Sequence, residues 1–300
     1  MRIVFRFDGS AALRERVAAV GVELCAESDD AAFDRLLPDV EVLWHVLKPV
    51  SAEVIARAPR LKLVQKIGSG VNTIDLDACR ARGIAVCNLP GANAPAVAEM
   101  TLLLILACLR RLRELDAAVR RPGGWREAWQ LQDRFGEIGG RTVGLVGYGA
   151  VARRLRPALE ALGARVLWWS RSAASADLDT VIARSDIVSL HLPLVPETGH
   201  RIDPWRMKPG AILVNTARGG LVDEARLVEA LRAGHLAAAG LDVFAHEPLA
   251  PDHPLLGLPN VVVSPHLAWL TPETIERSLA PALENVRRLE AGLPLLHRVA

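Results

Sequence analysis

Residues 141–171 read RTVGLVGYGAVARRLRPALEALGARVLWWSR, and this stretch restricts the possible folds more than any other. An apolar run over residues 142–146 ends at Gly147-Tyr148-Gly149-Ala150-Val151-Ala152. A helical pattern follows over 151–162, then a second apolar run over 165–169. A strand that turns sharply into a helix and returns as a strand is a βαβ unit. Each small residue has its own duty. Gly147 permits the tight turn, Gly149 lets a ligand approach the backbone, and the small third position, Ala152, lets helix and strand pack closely. The free N–H groups and positive dipole end of the helix, with Ala150 and Val151 in its first turn, then face an anion. At this spacing that anion is the pyrophosphate of a dinucleotide.

The same alternation runs through most of the chain. Strands are expected at residues 2–7, 40–46, 61–67, 186–190, 211–215, 238–242 and 261–264. Helices are expected at 11–20, 51–58, 94–115, 178–183, 224–233 and 272–291. Strands alternating with helices imply parallel sheets. The order suggests two α/β units joined by long helices, with the last helix returning to the first. The expected division is residues 1–93 plus 270–300 as one discontinuous domain, and 94–269 as the dinucleotide-binding domain.

Composition excludes other classes. Hydrophobic residues make up 51% and aromatics only 4% of 300 residues, which suits an Ala, Leu and Val core in buried parallel strands. The formal net charge of +2, without long runs of like charge, provides no field to recruit nucleic acid or an anionic membrane. Arg2, Arg6 and Asp8 interrupt any signal-peptide core. The most apolar stretch, 101–109, falls far short of the ~20 residues that cross a bilayer. Cys25, Cys79, Cys87 and Cys108 lack metal-ligand spacing, so reduced thiols in a cytoplasmic protein, and no metal site, are expected.

The end of the second strand bears on which dinucleotide fits. An NAD site usually places an acid there for the ribose 2′-hydroxyl. This chain has Trp169-Ser170-Arg171-Ser172 instead. A hydroxyl beside a guanidinium suits a 2′-phosphate, so NADP(H) is favoured over NAD(H).

Three more segments each follow an expected strand: NTARGGLVDEARLVEAL (215–231), AGLDVFAHEP (239–248) and SPHLAW (264–269). Singly, Arg218 reads as a loop residue, Glu247 as a surface carboxylate and His266 as a satisfied histidine by a turn. Together with the glycine turn, and in this order, they make the chain resemble the D-isomer-specific 2-hydroxyacid dehydrogenase family. Phosphoglycerate, glyoxylate and hydroxypyruvate enzymes belong to it. Residues 68–72 (GSGVN), 96–99 (AVAE) and 189–194 (SLHLPL) extend the resemblance, which runs from about residue 40 to residue 285.

The resemblance implies two doubly wound, Rossmann-like parallel-sheet domains with the active site in the cleft between them. It implies NAD(P)-dependent reduction of a small 2-keto acid such as glyoxylate or hydroxypyruvate. Arg218 would hold the substrate carboxylate and carbonyl. His266 would protonate the carbonyl oxygen, and Glu247 would hydrogen-bond the imidazole and favour its protonated form. Asp242 would orient the nicotinamide carboxamide, with Thr216 and Ala217 against the cofactor. His191, Leu192, Pro193 and Thr198 would line its adenosine side. The N–H groups of Ser69 and Gly70 would bind the substrate carboxylate, and helix 94–115 would form a homodimer contact. The chemistry asks for such a set independently. Hydride addition to a keto acid builds negative charge beside an existing carboxylate, so a fixed cation and a proton donor favour the transition state.

Some features depart from the pattern. Asn72 stands where many relatives carry Asp, and Trp269 is a bulky candidate for the substrate pocket. Trp44 and His45 could face the cleft or pack in a core. The alternatives are a dehydrogenase for another small anion, of formate or phosphite type, and an NAD(P)-binding regulator on the same scaffold. The lack of an added interaction segment favours the enzyme.

Overall fold

The structure is a computed structural model that describes all residues, Met1–Ala300. The chain divides into two compact units, Met1–Asn93 with Thr271–Ala300, and Ala94–Leu270.

The first unit holds β1 (Ile3–Arg6), β2 (Val22–Cys25), β3 (Val42–His45), β4 (Leu63–Lys66) and β5 (Ala85–Cys87) in the order β2-β1-β3-β4-β5, all parallel. Val4, Leu43, Val64 and Val86 face a core with Phe33, Ile55 and Cys79 from the crossover helices. The closing helix Pro272–Glu290 docks through Asn285. Its amide donates to Gln65 Oε1 at 2.7 Å, and its carbonyl oxygen accepts from Leu296 N at 2.7 Å. Trp44 is fully buried edge-on against Phe5, with ring centroids 5.8 Å apart. His45 is 1% exposed and bonds Thr73 Oγ1 at 2.8 Å. Burial, with Lys66 and Arg6 nearby, holds its imidazole well below the usual histidine range. Of the two roles open to Trp44 and His45, both residues take the packing role, inside this unit.

The second unit holds β6 (Thr142–Val146), β7 (Arg165–Trp169), β8 (Ile187–Leu190), β9 (Ala211–Asn215), β10 (Leu236–Leu241) and β11 (Val261–Val263) in the order β11-β10-β9-β8-β6-β7, again all parallel. The apolar strands β8 and β9 are buried throughout, as a sheet covered on both faces requires. Gly240 in β10 lets helix Ala94–Leu109 approach closely, because a Cβ there would lie 2.9 Å from Leu104 Cβ. In each sheet the chain reverses its winding direction once, between β1 and β3 and between β6 and β8. In open α/β sheets, ligands bind outside the carboxyl ends of strands at such switch points.

The expected single helix over 94–115 is two helices, Ala94–Leu109 and Leu112–Val119, broken at Arg111 with φ 50°. Tertiary contacts override the local helical preference. Gly136 N donates to the Leu109 carbonyl at 2.9 Å. Arg113 then donates to the carbonyls of Leu256, Leu258 and Val261. Strands β2 and β5 and helices Asp30–Leu36, Leu76–Ala81 and Gly124–Trp129 were outside the sequence expectations. All four cysteines are free and buried, and burial pushes the Cys108 thiol up to about 12. No helix is long and apolar enough to cross a membrane.

Candidate active site

Strand β6 delivers Gly147 to the switch point with φ +98°, where a Cβ would lie 2.5 Å from the His191 carbonyl oxygen. The turn is tied to both neighbouring strands: Gly147 N donates to Trp169 O at 2.8 Å, and His191 N donates to Val146 O at 2.7 Å. Gly149 is the N-cap of helix Ala150–Ala161 and provides no side-chain acceptor. The first N–H groups of that helix, including those of Ala150 and Val151, therefore have no intrahelical partner. A Cβ on Gly149 would meet nothing within 4 Å, while Ala152 is fully buried behind the turn. Open approach plus unsatisfied donors at a positive helix end fits a dinucleotide pyrophosphate.

The flanking residues act mostly through loop shape. Ser170 Oγ donates to Ala173 O at 2.7 Å and accepts from Ala173 N at 3.2 Å, so this hydroxyl closes its own turn and presents the exposed Arg171. His191 places its ring Nε2 3.1 Å from Ser189 Oγ. Desolvation lowers its pKa to about 4, so the ring is neutral near pH 7. Leu192 is buried in the core and Pro193 is exposed. Thr198 Oγ1 donates to Pro193 O at 2.7 Å and accepts from Val195 N at 2.9 Å, folding this loop back on itself.

At the end of β9, Asn215 shapes the next segment. Its Oδ1 accepts from Ala217 N at 3.0 Å and its Nδ2 donates to Arg218 O at 2.9 Å. Thr216 bonds Thr101 of helix Ala94–Leu109 at 2.9 Å. Arg218 donates to Ala217 O at 2.6 Å; burial lowers its pKa, and the Glu247 charge opposes the shift.

At the end of β10, Asp242 is 1% exposed and accepts three hydrogen bonds from one loop: Ser264 Oγ at 2.5 Å, Leu267 N at 3.0 Å and Ala268 N at 2.9 Å. Burial pushes its carboxyl up, against those bonds and the His266 charge. His266 N also donates to Asp242 O at 2.8 Å, and His266 has φ 57°. Asp242 thus holds the loop that carries the histidine, a duty its sequence position did not suggest.

His266 Nδ1 lies 2.6 Å from Glu247 Oε2, while Glu247 Oε1 accepts from Phe244 N at 2.9 Å. With Nδ1 engaged, Nε2 is the ring nitrogen left to meet a reacting oxygen. Burial opposes Glu247 ionisation, but bonds from His266 and Phe244 N and the charges of His266 and Arg218 hold its carboxyl below the usual carboxylate range. A depressed pKa contributes stability that is present above the unfolded-state pKa and lost as pH falls through the folded-state value. Melting temperature followed from pH 7 to pH 3 should therefore drop more steeply for wild type than for Glu247→Gln. Parallel curves would refute this coupling.

Trp269 follows on the same loop and is 7% exposed. In the first unit, β4 leads into Gly68-Ser69-Gly70. Ser69 Oγ donates to Leu89 O at 3.3 Å and Asn88 Nδ2 donates to Ser69 O at 2.8 Å. These bonds fix the turn through its side chain and carbonyl.

Sequence reasoning missed Asn215, Ser264 and Gly219, whose duties are spatial. A Cβ on Gly219 would lie 1.9 Å from the Phe244 carbonyl carbon, so the segments bearing Arg218 and Glu247 touch backbone to backbone. A glycine directly after a candidate site residue was the available signal.

A parallel sheet with a glycine turn at its switch point, and a cation and a His–Glu pair at neighbouring strand ends, defines the class of dinucleotide-binding α/β proteins. Residues 102–268 match the D-isomer specific 2-hydroxyacid dehydrogenase, NAD binding domain. The chain belongs to the D-isomer-specific 2-hydroxyacid dehydrogenase family. It is 43% identical over 257 residues to a D-3-phosphoglycerate dehydrogenase of Mycobacterium leprae (strain TN), covering 81% of this chain and 48% of that protein. It thus spans about half the length of that relative. It is 41% identical over 271 residues to a glyoxylate reductase of Aeropyrum pernix, covering 85% of this chain and 81% of that protein. Among solved structures, the TT0316 protein of Thermus thermophilus superimposes with a TM-score of 0.89 at 36% identity over 100% of both chains.

Proposed function

We propose that this chain is an NAD(P)-dependent D-2-hydroxyacid dehydrogenase that mainly reduces a small 2-keto acid such as glyoxylate or hydroxypyruvate. The 2.6 Å contact between His266 Nδ1 and Glu247, with Arg218 close enough to act on the same carboxylate, carries this reading. Ala94–Leu270 takes the dinucleotide, and the other unit binds substrate through the N–H groups of Ser69 and Gly70.

A bound reduced nicotinamide supplies a hydride to the carbonyl carbon. Arg218 holds the substrate carboxylate and the carbonyl oxygen, where negative charge develops. His266 Nε2 gives that oxygen a proton, and Glu247 stabilises the imidazolium before the transfer. In the opposite direction the neutral imidazole accepts the hydroxyl proton. Asp242 keeps the histidine loop in place and, with Thr216 and Ala217, borders the nicotinamide. Trp269 limits the substrate side chain.

The cofactor is NADP(H) in preference to NAD(H). Arg171, exposed on the turn that Ser170 closes, meets the 2′-phosphate by charge-assisted hydrogen bonds. Arg171→Ala should weaken NADPH binding about tenfold or more, in line with loss of one such bond, and leave NADH binding unchanged. Equal losses for both cofactors, measured by fluorescence titration, would remove Arg171 from this role. Leu103 and Leu106 on helix Ala94–Leu109, with Leu112 and Val119 on the next helix, are exposed apolar residues that suit a homodimer contact.

The functional reading is tested by resolving the product of hydroxypyruvate and NADPH on a chiral column. D-glycerate is expected. L-glycerate would contradict it, as would no turnover of either hydroxypyruvate or glyoxylate.

A further inference from the structure

The loop that carries Glu247 is held at both ends by one carboxylate. Glu224 is the first residue of helix Glu224–Arg232, whose N-cap is Asp223. Its Oε1 accepts from Ala245 N at 2.7 Å, two residues before Glu247. Its Oε2 lies 3.4 Å from His253 Nε2, six residues after Glu247. The His253 ring is fixed from its other side, because Nδ1 accepts from Leu255 N at 3.4 Å in the first turn of the short helix Pro254–Gly257. That bond uses Nδ1 as its acceptor and turns the Nε2 side of the ring toward Glu224. Both side chains are mostly shielded from solvent, at 17% exposure for Glu224 and 22% for His253.

Glu224 also lies on the segment that begins with Arg218. The short helix Gly219–Leu221 leads from Arg218 to Asp223, and Gly219 rests against the Phe244 and Ala245 backbone. Two links therefore join the Arg218 segment to the Glu247 segment: a backbone contact at Gly219 and a carboxylate hydrogen bond at Glu224. Inside the loop, Glu247 turns back so that Oε1 takes Phe244 N and Oε2 takes His266 Nδ1. The two-residue segment Phe244-Ala245 is shared. Its two N–H groups go to Glu247 and to Glu224, so a shift at Ala245 moves the donor that aims Glu247.

We propose that Glu224 is a positioning residue of the reaction: by clamping Ala245 and His253 it fixes the loop that points Glu247 at His266. This rests on the dehydrogenase reading for its catalytic consequence, but the geometry can be read without turnover. A 2.6 Å bond between an imidazole and a carboxylate is charge-assisted and short, so the His266 Nδ1 proton should resonate far downfield in the proton spectrum. Its loss in Glu247→Gln assigns it.

The test compares Glu224→Ala, which removes the clamp, with Glu224→Gln, which retains an acceptor for Ala245 N. In Glu224→Ala the downfield resonance should broaden or vanish. Keto-acid kcat should fall roughly 10- to 100-fold, the range for a catalytic group displaced by about 1 Å, with NADPH affinity unchanged. Glu224→Gln should keep the resonance and most of the rate. His253→Ala, which frees one limb of the loop, should fall between them and serves if Glu224→Ala does not fold. An unchanged resonance and rate in both Glu224→Ala and His253→Ala would overturn the proposal, as would equal loss in Glu224→Ala and Glu224→Gln. If wild type shows the resonance and its dependence on Glu224 but reduces no keto acid, the positioning geometry stands and the substrate assignment fails.

Discussion

His266→Ala should lower kcat for keto-acid reduction by about 10²–10⁴-fold, the range for loss of a positioned general acid. NADPH affinity should stay within about twofold, because the glycine turn that meets the pyrophosphate lies on β6 while His266 follows β11. The backbone of His266 sits in the left-handed region, which Asn, Asp and His enter more readily than other residues with a β-carbon. Asn therefore makes the second variant, since it tolerates that conformation and cannot transfer the proton. Both variants should fail alike. Near-wild-type kcat in either would remove His266 from the acid/base role.

Gly219→Ala should damage the site without touching a reacting group. Its Cβ would lie 1.9 Å from Phe244 C and 2.3 Å from Ala245 N, both backbone atoms that cannot rotate away. The Arg218 and Glu247 segments must then separate. Forcing atoms into a packed place costs about 1–3 kcal/mol, or several degrees of melting temperature at this domain size. Because two catalytic groups move together, kcat should fall about a hundredfold or more. Gly257→Ala, where a Cβ meets open space, should leave melting unchanged. Equal melting behaviour of the two variants would show that the loops are not locked at Gly219.

Legibility in the sequence followed the range of the interaction responsible. The strands at 142–146, 165–169 and 211–215 lie where their apolar runs predicted. Strands β6 and β9 lie inside the sheet and are almost wholly buried, as covered strands must be, while the edge strand β7 is only half-buried. Strand β2, VELC, is too short and too polar at Glu23 for such a run to stand out. The helix expected across 94–115 is broken by partners at Gly136 and Leu256–Val261, which no local pattern contains. Arg218, Glu247 and His266 were legible because their segments combine residue type, order and strand position. The duties of Asp242, Asn215, Gly219 and Glu224 were not, since each acts on backbone far away in sequence. Ser170 shows the converse: its hydroxyl suited a phosphate by type, and the fold uses it to close a turn.

The most direct test of keto-acid reduction is NADPH and NADH oxidation by the wild-type protein, side by side, with glyoxylate, hydroxypyruvate, pyruvate and phenylpyruvate. Turnover with at least one of the smaller acids, faster with NADPH and abolished in His266→Ala, is the predicted result. Tight cofactor binding with no turnover of any of them would contradict it.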